Sequence, residues 1–247
     1  GVSKLHGQTT CRMWRDVHQN ACIISITNGV HNTTWQHPAI KQAFDSGGDI
    51  RAAHRENKMR LIEYISRNRD VQLDPETLLV GFARRAAPYK RSDLIFRASE
   101  IIEPLLEEGK LQLVFSGKAH PKDDIGKSII EQLVKMDMKY KDRVVFLENY
   151  NMEIARLMVQ GCDVWLNNPR RPMEASGTSG MKAAMNGVLN LSVVDGWVGE
   201  GVQHGISGWL IDAALRETLN ADEQDEQDLR DLYNVLLKEV LPIYYED

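Results

Sequence analysis

The chain has only three cysteines among its 247 residues, and Cys11, Cys22 and Cys162 are odd in number and widely spaced. That excludes a disulfide framework and the paired spacing of a structural zinc site, and it points to a reducing compartment. Long hydrophobic runs are missing too. Nothing approaches the roughly 18 apolar residues that span a bilayer, and no basic stretch followed by an apolar one opens the chain. A soluble, cytoplasmic protein is expected. Basic charge is not in excess: 30 Lys and Arg face 35 Asp and Glu, a formal net charge of −5, so general attraction to nucleic acid is not expected. Neither GxGxxG nor GxxxxGK(S/T) occurs, which removes dinucleotide and ATP binding by those loops. The absence of GxSxG, HExxH and a Cys/His nucleophile pair removes the corresponding hydrolases, and the histidines share no metal-ligand spacing. There is no internal repeat or low-complexity tract. An initiator methionine is lacking, and GVSKLHG reads as the middle of a helical pattern, so a piece excised from a longer chain is expected.

What is present is a composition 43% hydrophobic, enough for one large domain or two small ones with a substantial core. From residue 79 onward short β-branched runs alternate with longer amphipathic stretches, the pattern of βαβ units around a parallel sheet. Strands are expected at Leu78 to Phe82, Leu111 to Ser116, Arg143 to Leu147, Asp163 to Asn167, Val188 to Val193 and Gly208 to Ile211. Helices are expected at 92 to 107, 123 to 138, 152 to 161 and 177 to 186. The fold class is therefore α/β. Ahead of this region, Ile50 to Arg69 places Met59, Ile62 and Ile65 at helical intervals with charges elsewhere, which predicts a surface helix packed on one face. Residues 221 to 232 are rich in Asp, Glu and Gln and predict a helix with a solvated acidic face, its apolar positions continuing to Leu241.

Three segments can carry chemistry. In Glu174 to Asn186, EASGTSGMKAAMN, small residues and hydroxyls run straight into a helical pattern. Gly177, Thr178, Ser179 and Gly180 can present backbone N–H groups at a helix start, an anion cradle. Lys182 is placed by this reading in the first helical turn, where a cation costs a few tenths to about 1 kcal/mol; an anion or a covalent partner would account for it. An ε-amine with a lowered pKa there is a Schiff-base candidate. The alternative is a glycine-rich turn capping a helix whose lysine faces solvent. In Gly81 to Arg91, GFARRAAPYKR, a strand ends in a loop holding Arg84, Arg85, Lys90 and Arg91. Ligands of open parallel sheets bind outside the carboxyl ends of strands, so these four cations can hold an oxyanion, or else form a solvated basic turn. In Ser116 to Pro121, SGKAHP, Gly117 suits a strand-to-loop turn, while Lys118 and His120 are read as scaffold rather than site.

With these residues in hand, the chain resembles the α-glucan phosphorylases, the glycogen, starch and maltodextrin phosphorylase family. GVSKLHG, TNGV, HRENKMRL, RRAAPYKR, FSGKAHP, FLENYN and EASGTSGMKAAMNG stand in the family's order and approximate spacing, nearly from end to end. The resemblance implies a GT-B glycosyltransferase fold of two Rossmann-like domains across a cleft. Residues 1–30 would be a lead-in from the end of the N-terminal domain, and 31–247 the C-terminal, cofactor-binding domain, a Rossmann-like parallel sheet flanked by helices.

By the same resemblance, Lys182 is the position that binds pyridoxal 5'-phosphate covalently, with Thr178, Ser179 and Arg84 at its phosphate and Tyr150 beside its ring. Arg85 and Lys90 correspond to residues that hold the substrate phosphate. Tyr89, Glu174, Ser176, Gly177 and Asn28 correspond to residues at the glucosyl unit. The implied reaction is removal of terminal α-1,4-glucosyl units by inorganic phosphate to give α-glucose 1-phosphate with retention, the cofactor phosphate relaying a proton. The partners implied are an α-1,4-glucan, inorganic phosphate or glucose 1-phosphate, and the missing N-terminal domain of the same protein, with a homodimer left open. No metal, nucleic acid or membrane is called for.

Nucleotide-sugar glycosyltransferases of the same fold are the nearest alternative. Many carry Glu, seven residues, then Glu; here that spacing from Glu174 lands on Lys182, which argues against a nucleotide donor. A non-catalytic glucan-binding module is the third reading, and it would predict decay of the phosphate-binding cations. The chain departs from the larger glycogen phosphorylases in having Ala87 and Pro88 for a His-Glu pair, and Ser179 and Gly180 for Gly-Asn. It looks closer to the shorter bacterial and archaeal branch, and the isolated chain is expected to be inactive or nearly so.

Overall fold

A strand covered on both faces reads as an unbroken apolar run, and LLVGFA and LQLVFS are such runs, buried at all six positions of each strand. They form Leu78–Ala83 (β1) and Leu111–Ser116 (β2), followed by Val144–Leu147 (β3), Val164–Asn167 (β4), Leu189–Val193 (β5) and Gly208–Ile211 (β6). In the computed structural model, which describes residues 1–18, 22–211 and 220–246, all six lie in one parallel sheet of order β3-β2-β1-β4-β5-β6. The chain builds outward from β1 to β3 and then returns to start again at β4 beside β1. The β1/β4 boundary is thus a topological switch point, where the loops leaving adjacent strands diverge and leave a crevice.

The helices preceding the sheet are Lys4–Met13 (α1), Arg15–His18 (α2), Asn32–Trp35 (α3), Pro38–Ser46 (α4) and Ile50–Asn68 (α5). Those within and after it are Ser99–Glu107 (α6), Asp124–Lys139 (α7), Met152–Gly161 (α8), Thr178–Ala184 (α9), Val198–Gly201 (α10), Ala221–Val235 (α11) and Leu241–Glu246 (α12), the last two joined by a π-turn at Leu236–Val240. Side-chain oxygens start several of them. Asp49 accepts from Ala52 N–H, Asp123 from Gly126 N–H and Asn151 from Ile154 N–H, while Asn220 and Glu223 form a capping box. One sheet face packs Phe82, Ile102, Phe115 and Leu133 against Leu232 and Leu236; the other packs Leu79, Val114 and Trp165 against Leu61, Ile65 and Met158.

Three expectations are corrected. The helix expected over 92–107 is a 3-10 turn at Leu94–Phe96 followed by α6 from Ser99. The Ile95 carbonyl is taken by the Tyr233 hydroxyl instead of continuing a helical ladder. In α5 the buried stripe is Ala53, Asn57, Lys58, Leu61, Ile62 and Ile65, and Met59 is exposed. Lys58 goes inside because its ammonium donates to Asp163 Oδ2 at 2.6 Å, to the Thr77 carbonyl at 2.8 Å and to the Tyr244 hydroxyl at 2.8 Å. The acidic stretch of α11 is not wholly solvated, since Gln224, Asp225 and Asp228 are buried.

The reason lies in Arg91, which is 0% exposed. Its guanidinium donates to Asp225 Oδ1 at 2.9 Å, Asp228 Oδ2 at 2.6 Å, and the Asn168 and Pro169 carbonyls at 2.8 and 2.9 Å. The Arg91 carbonyl in turn accepts from Asn168 Nδ2 at 3.1 Å. Arg97 and Arg170 close on Asp225 from outside. Burial alone would raise the Asp225 carboxyl, but three guanidiniums hold it below the usual carboxylate range. Arg91→Ala would leave Asp228 buried without its cation, a change worth about 3–5 kcal/mol. A loss of that order is expected in the urea unfolding midpoint, and a change under about 1 kcal/mol would refute the staple.

Candidate active site

The crevice at the switch point is made by two loops. One leaves β1 and carries Arg84, Arg85 and a 3-10 turn at Pro88–Lys90; the other leaves β4 and runs through Glu174 and Ser176 into α9. Arg170 N–H donates to the Tyr89 carbonyl at 2.7 Å, fastening one to the other.

Glu174 sits where they meet. Its Oε2 is ion-paired with Arg84 and accepts from Lys90 Nζ at 2.8 Å. Burial works to raise this carboxyl, but Arg84 and Lys90 together hold it below its ordinary value. Arg84 is buried, donates to Ser179 Oγ at 3.0 Å, and has its Nε without a partner among the described residues. Trp165 Nε1 supports the same hydroxyl from β4 at 3.3 Å. Ser176 is 5% exposed, and its hydroxyl has no partner among the described residues. Gly177 is the N-cap of α9 at φ 84°, a left-handed conformation, and a Cβ there would come 3.3 Å from Arg84 Nη2. Tyr150 is half-buried; burial raises its phenol while the Arg84 charge lowers it.

Lys182 requires a correction. α9 spans only Thr178–Ala184, so Lys182 lies in its last turn, where the dipole favours a cation. The argument from dipole cost therefore falls, and a different oddity replaces it. Lys182 Nζ lies 3.7 Å from the centre of the Trp35 ring, with no hydrogen-bond acceptor among the described residues. Burial lowers its pKa. Trp35 was missed from the sequence because no periodicity marks it and its placement is tertiary. Asn186 Nδ2 donates to the Trp35 carbonyl at 2.9 Å, His37 N–H donates to Asn186 Oδ1 at 2.7 Å, and Gln36 Nε2 donates to the Met185 carbonyl at 3.0 Å.

The remaining site candidates are placed differently. Arg85 is exposed at the crevice mouth, and Lys90 stands 4.9 Å from the centre of the Tyr89 ring. Thr178 and Ser179 open α9. Asn28 is exposed in the lead-in and makes no side-chain contact with the cluster among the described residues. Arg91 does not join the other cations of its loop at the crevice, because its guanidinium is consumed by the buried staple. His120 is exposed and caps Lys122 N–H, a scaffold role.

Asp195, also missed, is 1% exposed beyond β5. Its Oδ2 accepts from Glu174 N–H at 2.9 Å and its Oδ1 from Gly196 N–H at 2.8 Å. Burial pushes it up to about 7, with the Glu174 charge adding to the rise. Among the described residues no group of three or more His, Cys, Asp or Glu is placed to hold a metal ion, and no helix is long and apolar enough to cross a membrane.

A parallel α/β domain with paired cations, an unpartnered hydroxyl and a desolvated amine at its switch point is equipped to bind phosphate and to form a covalent bond through that amine. Residues 25–202 match the carbohydrate phosphorylase family, and the chain belongs to that family. It is 40% identical to a maltodextrin phosphorylase of Thermococcus litoralis, over 100% of this chain and 35% of that protein. A glycogen phosphorylase of Aquifex aeolicus is 36% identical over 99% of this chain and 41% of its own length. One from Mycobacterium tuberculosis is 38% identical over 100% and 34%. The chain thus spans between about a third and two fifths of the length of these curated relatives.

The raised Asp195 carboxyl has a consequence for stability. Its folded pKa of about 7 exceeds the 3.8 of a free Asp, so the folded chain binds more protons between those values. The contribution is complete below pH 3.8 and is lost as pH rises through about 7. Urea unfolding from pH 5 to 8 is expected to show wild type losing stability relative to Asp195→Asn, and parallel pH profiles would contradict the assignment.

Proposed function

We propose that this chain is the cofactor-carrying portion of an α-glucan phosphorylase, which removes terminal α-1,4-glucosyl units with inorganic phosphate and releases α-glucose 1-phosphate. The observation that carries the reading is Lys182: a desolvated amine without an acceptor, on the same short helix as the hydroxyl that Arg84 holds. The nucleotide-sugar reading fails at this residue, where an amine replaces the carboxylate needed for a ribose. A glucan-binding module without catalysis gives no reason to keep Lys182, Arg84 and Lys90 together. Free Cys11, Cys22 and Cys162 support a reducing, cytoplasmic setting.

The residues present fit pyridoxal 5'-phosphate. Lys182 would hold it covalently, and Arg84, Thr178 and Ser179 its phosphate, with the unpartnered Arg84 Nε and Ser176 hydroxyl as spare donors. Tyr150 and Trp35 would flank it. When bound, the group supplies a phosphate able to exchange a proton with the substrate phosphate.

The chain's own residues then have separate tasks. Arg85 and Lys90 bind inorganic phosphate and stabilise charge as the glycosidic bond breaks. Glu174, held ionised by Arg84 and Lys90, keeps those two cations apart and aligned, and with Tyr89, Ser176, Gly177 and Asn28 it faces the sugar hydroxyls. The partners are the glucan, phosphate or glucose 1-phosphate, and the rest of the same protein, which must close the crevice against water.

The test is phosphate-dependent release of glucose 1-phosphate from maltodextrin by the chain joined to the rest of its protein. Lys182→Ala is expected to abolish it. Arg85→Ala is expected to raise KM for phosphate roughly 10- to 100-fold, the value of a hydrogen bond to a charged group. Phosphorolysis by Lys182→Ala would contradict the reading, and phosphorolysis by the isolated chain would contradict the need for the rest of the protein.

A further inference from the structure

One short segment touches both the β4 loop of the crevice described above and the lead-in. It leaves β5 as Asp195, Gly196 and Trp197 and continues as α10. Toward the β4 loop it makes two backbone clamps: Asp195 Oδ2 accepts from Glu174 N–H at 2.9 Å, and Trp197 N–H donates to the Ser176 carbonyl at 3.0 Å. Gly196, at φ 57°, brings its backbone so close to the Ser176 carbonyl that a Cβ would collide with it. The Trp197 indole lies behind Gly177 and Gly180, close to where a side chain on either would stand.

Toward the lead-in the same segment uses Glu200. Its Oε1 accepts from Lys4 N–H at 2.8 Å, and its Oε2 accepts from Thr27 Oγ1 at 2.7 Å. Both oxygens of an exposed carboxylate are thus spent on a stretch more than 170 residues earlier in sequence. Thr27 precedes Asn28 directly, and Asn28 N–H is bonded to the Val2 carbonyl at 3.1 Å. Only four residues lie between the carboxylate that fixes Glu174 and the one that fixes Thr27.

We propose that Asp195 and Glu200 are positioning residues for the sugar side of this site, forming one rigid frame that sets the Thr27–Asn28 stretch against Glu174–Ser176. Neither acts on the substrate itself. The frame makes the site sensitive to where the lead-in lies, so displacement of residues 1–30 is transmitted through α10 to the loop that carries Glu174. The assignment of the two stretches to a sugar rests on the phosphorylase reading; the mechanical coupling between them does not.

Glu200→Ala removes two acceptors from an exposed position and leaves both cores intact. Hydrogen exchange on the chain is expected to rise roughly tenfold in peptides spanning residues 22–30 and 172–178, with β1 and β2 unchanged. Asp195→Asn is expected to raise the 172–178 peptide alone. In phosphorolysis, Glu200→Ala is expected to raise KM for the glucan roughly tenfold while KM for phosphate stays within about twofold, and Glu200→Gln, which keeps one acceptor, to fall between. Faster exchange confined to 22–30 would overturn the proposal, and so would equal rises in the two KM values. Absence of phosphorolysis in wild type would count against the phosphorylase reading, and the exchange pattern alone would then decide the frame.

Discussion

A guanidinium removed entirely from water needs partners in every direction, and Arg91, itself on the β1 loop, obtains them from the β4 loop and α11, so that three separate parts of the chain meet at it. The cost of burying that charge is recovered only when all three are in place. The interaction is therefore nearly all-or-none, and it fixes the spacing of the two loops that form the crevice. Arg91 itself occupies a left-handed backbone conformation at φ 49°, just after the turn that carries Tyr89 and Lys90. Whatever holds Arg91 also aims Lys90.

With the loops fixed, charge can be concentrated at the switch point without collapse. Arg84 and Lys90 share Glu174, and Asp195 beneath it binds the Glu174 backbone without competing for either cation. The two carboxyls are pushed in opposite directions, Glu174 down by its cations and Asp195 up by burial. That arrangement leaves one ionised acceptor at the crevice and, behind it, a carboxyl that gives up its proton only as pH rises through about 7. For the substrate phosphate proposed above, Lys90 is already oriented by Glu174, so little reorganisation of that cation would remain at the moment of reaction.

Much of this was legible in the sequence, for identifiable reasons. Strands covered on both faces are continuous apolar runs, so all six were located within a residue at each end; β4 and β5 begin one residue later than the pattern suggests because Asp163 turns to Lys58 and Val188 closes onto Ala183. The loops after β1 and β4 could be read as a site because parallel sheets place loops there. What stayed hidden depends on partners far away in sequence. Arg91 looked like a fourth phosphate-binding cation, and Asp225 and Asp228, well over a hundred residues on, make it structural. Lys58 looked solvated until Asp163 was beside it. Lys182 was assigned to the wrong helical turn because α9 ends at Ala184, two residues short of the expected end. Trp35 carries no local signal at all, being set by Asn186.

The central claim is that the Lys182 amine, desolvated against Trp35, is the group among the described residues made ready for a carbonyl cofactor. The most direct measurement is incubation with pyridoxal 5'-phosphate, borohydride reduction and peptide mapping, with the absorption spectrum followed throughout. The account expects a single stable adduct on the peptide containing Lys182, absent in Lys182→Ala. Modification scattered over exposed lysines with Lys182 untouched, or an equal yield from Lys182→Ala, would contradict it.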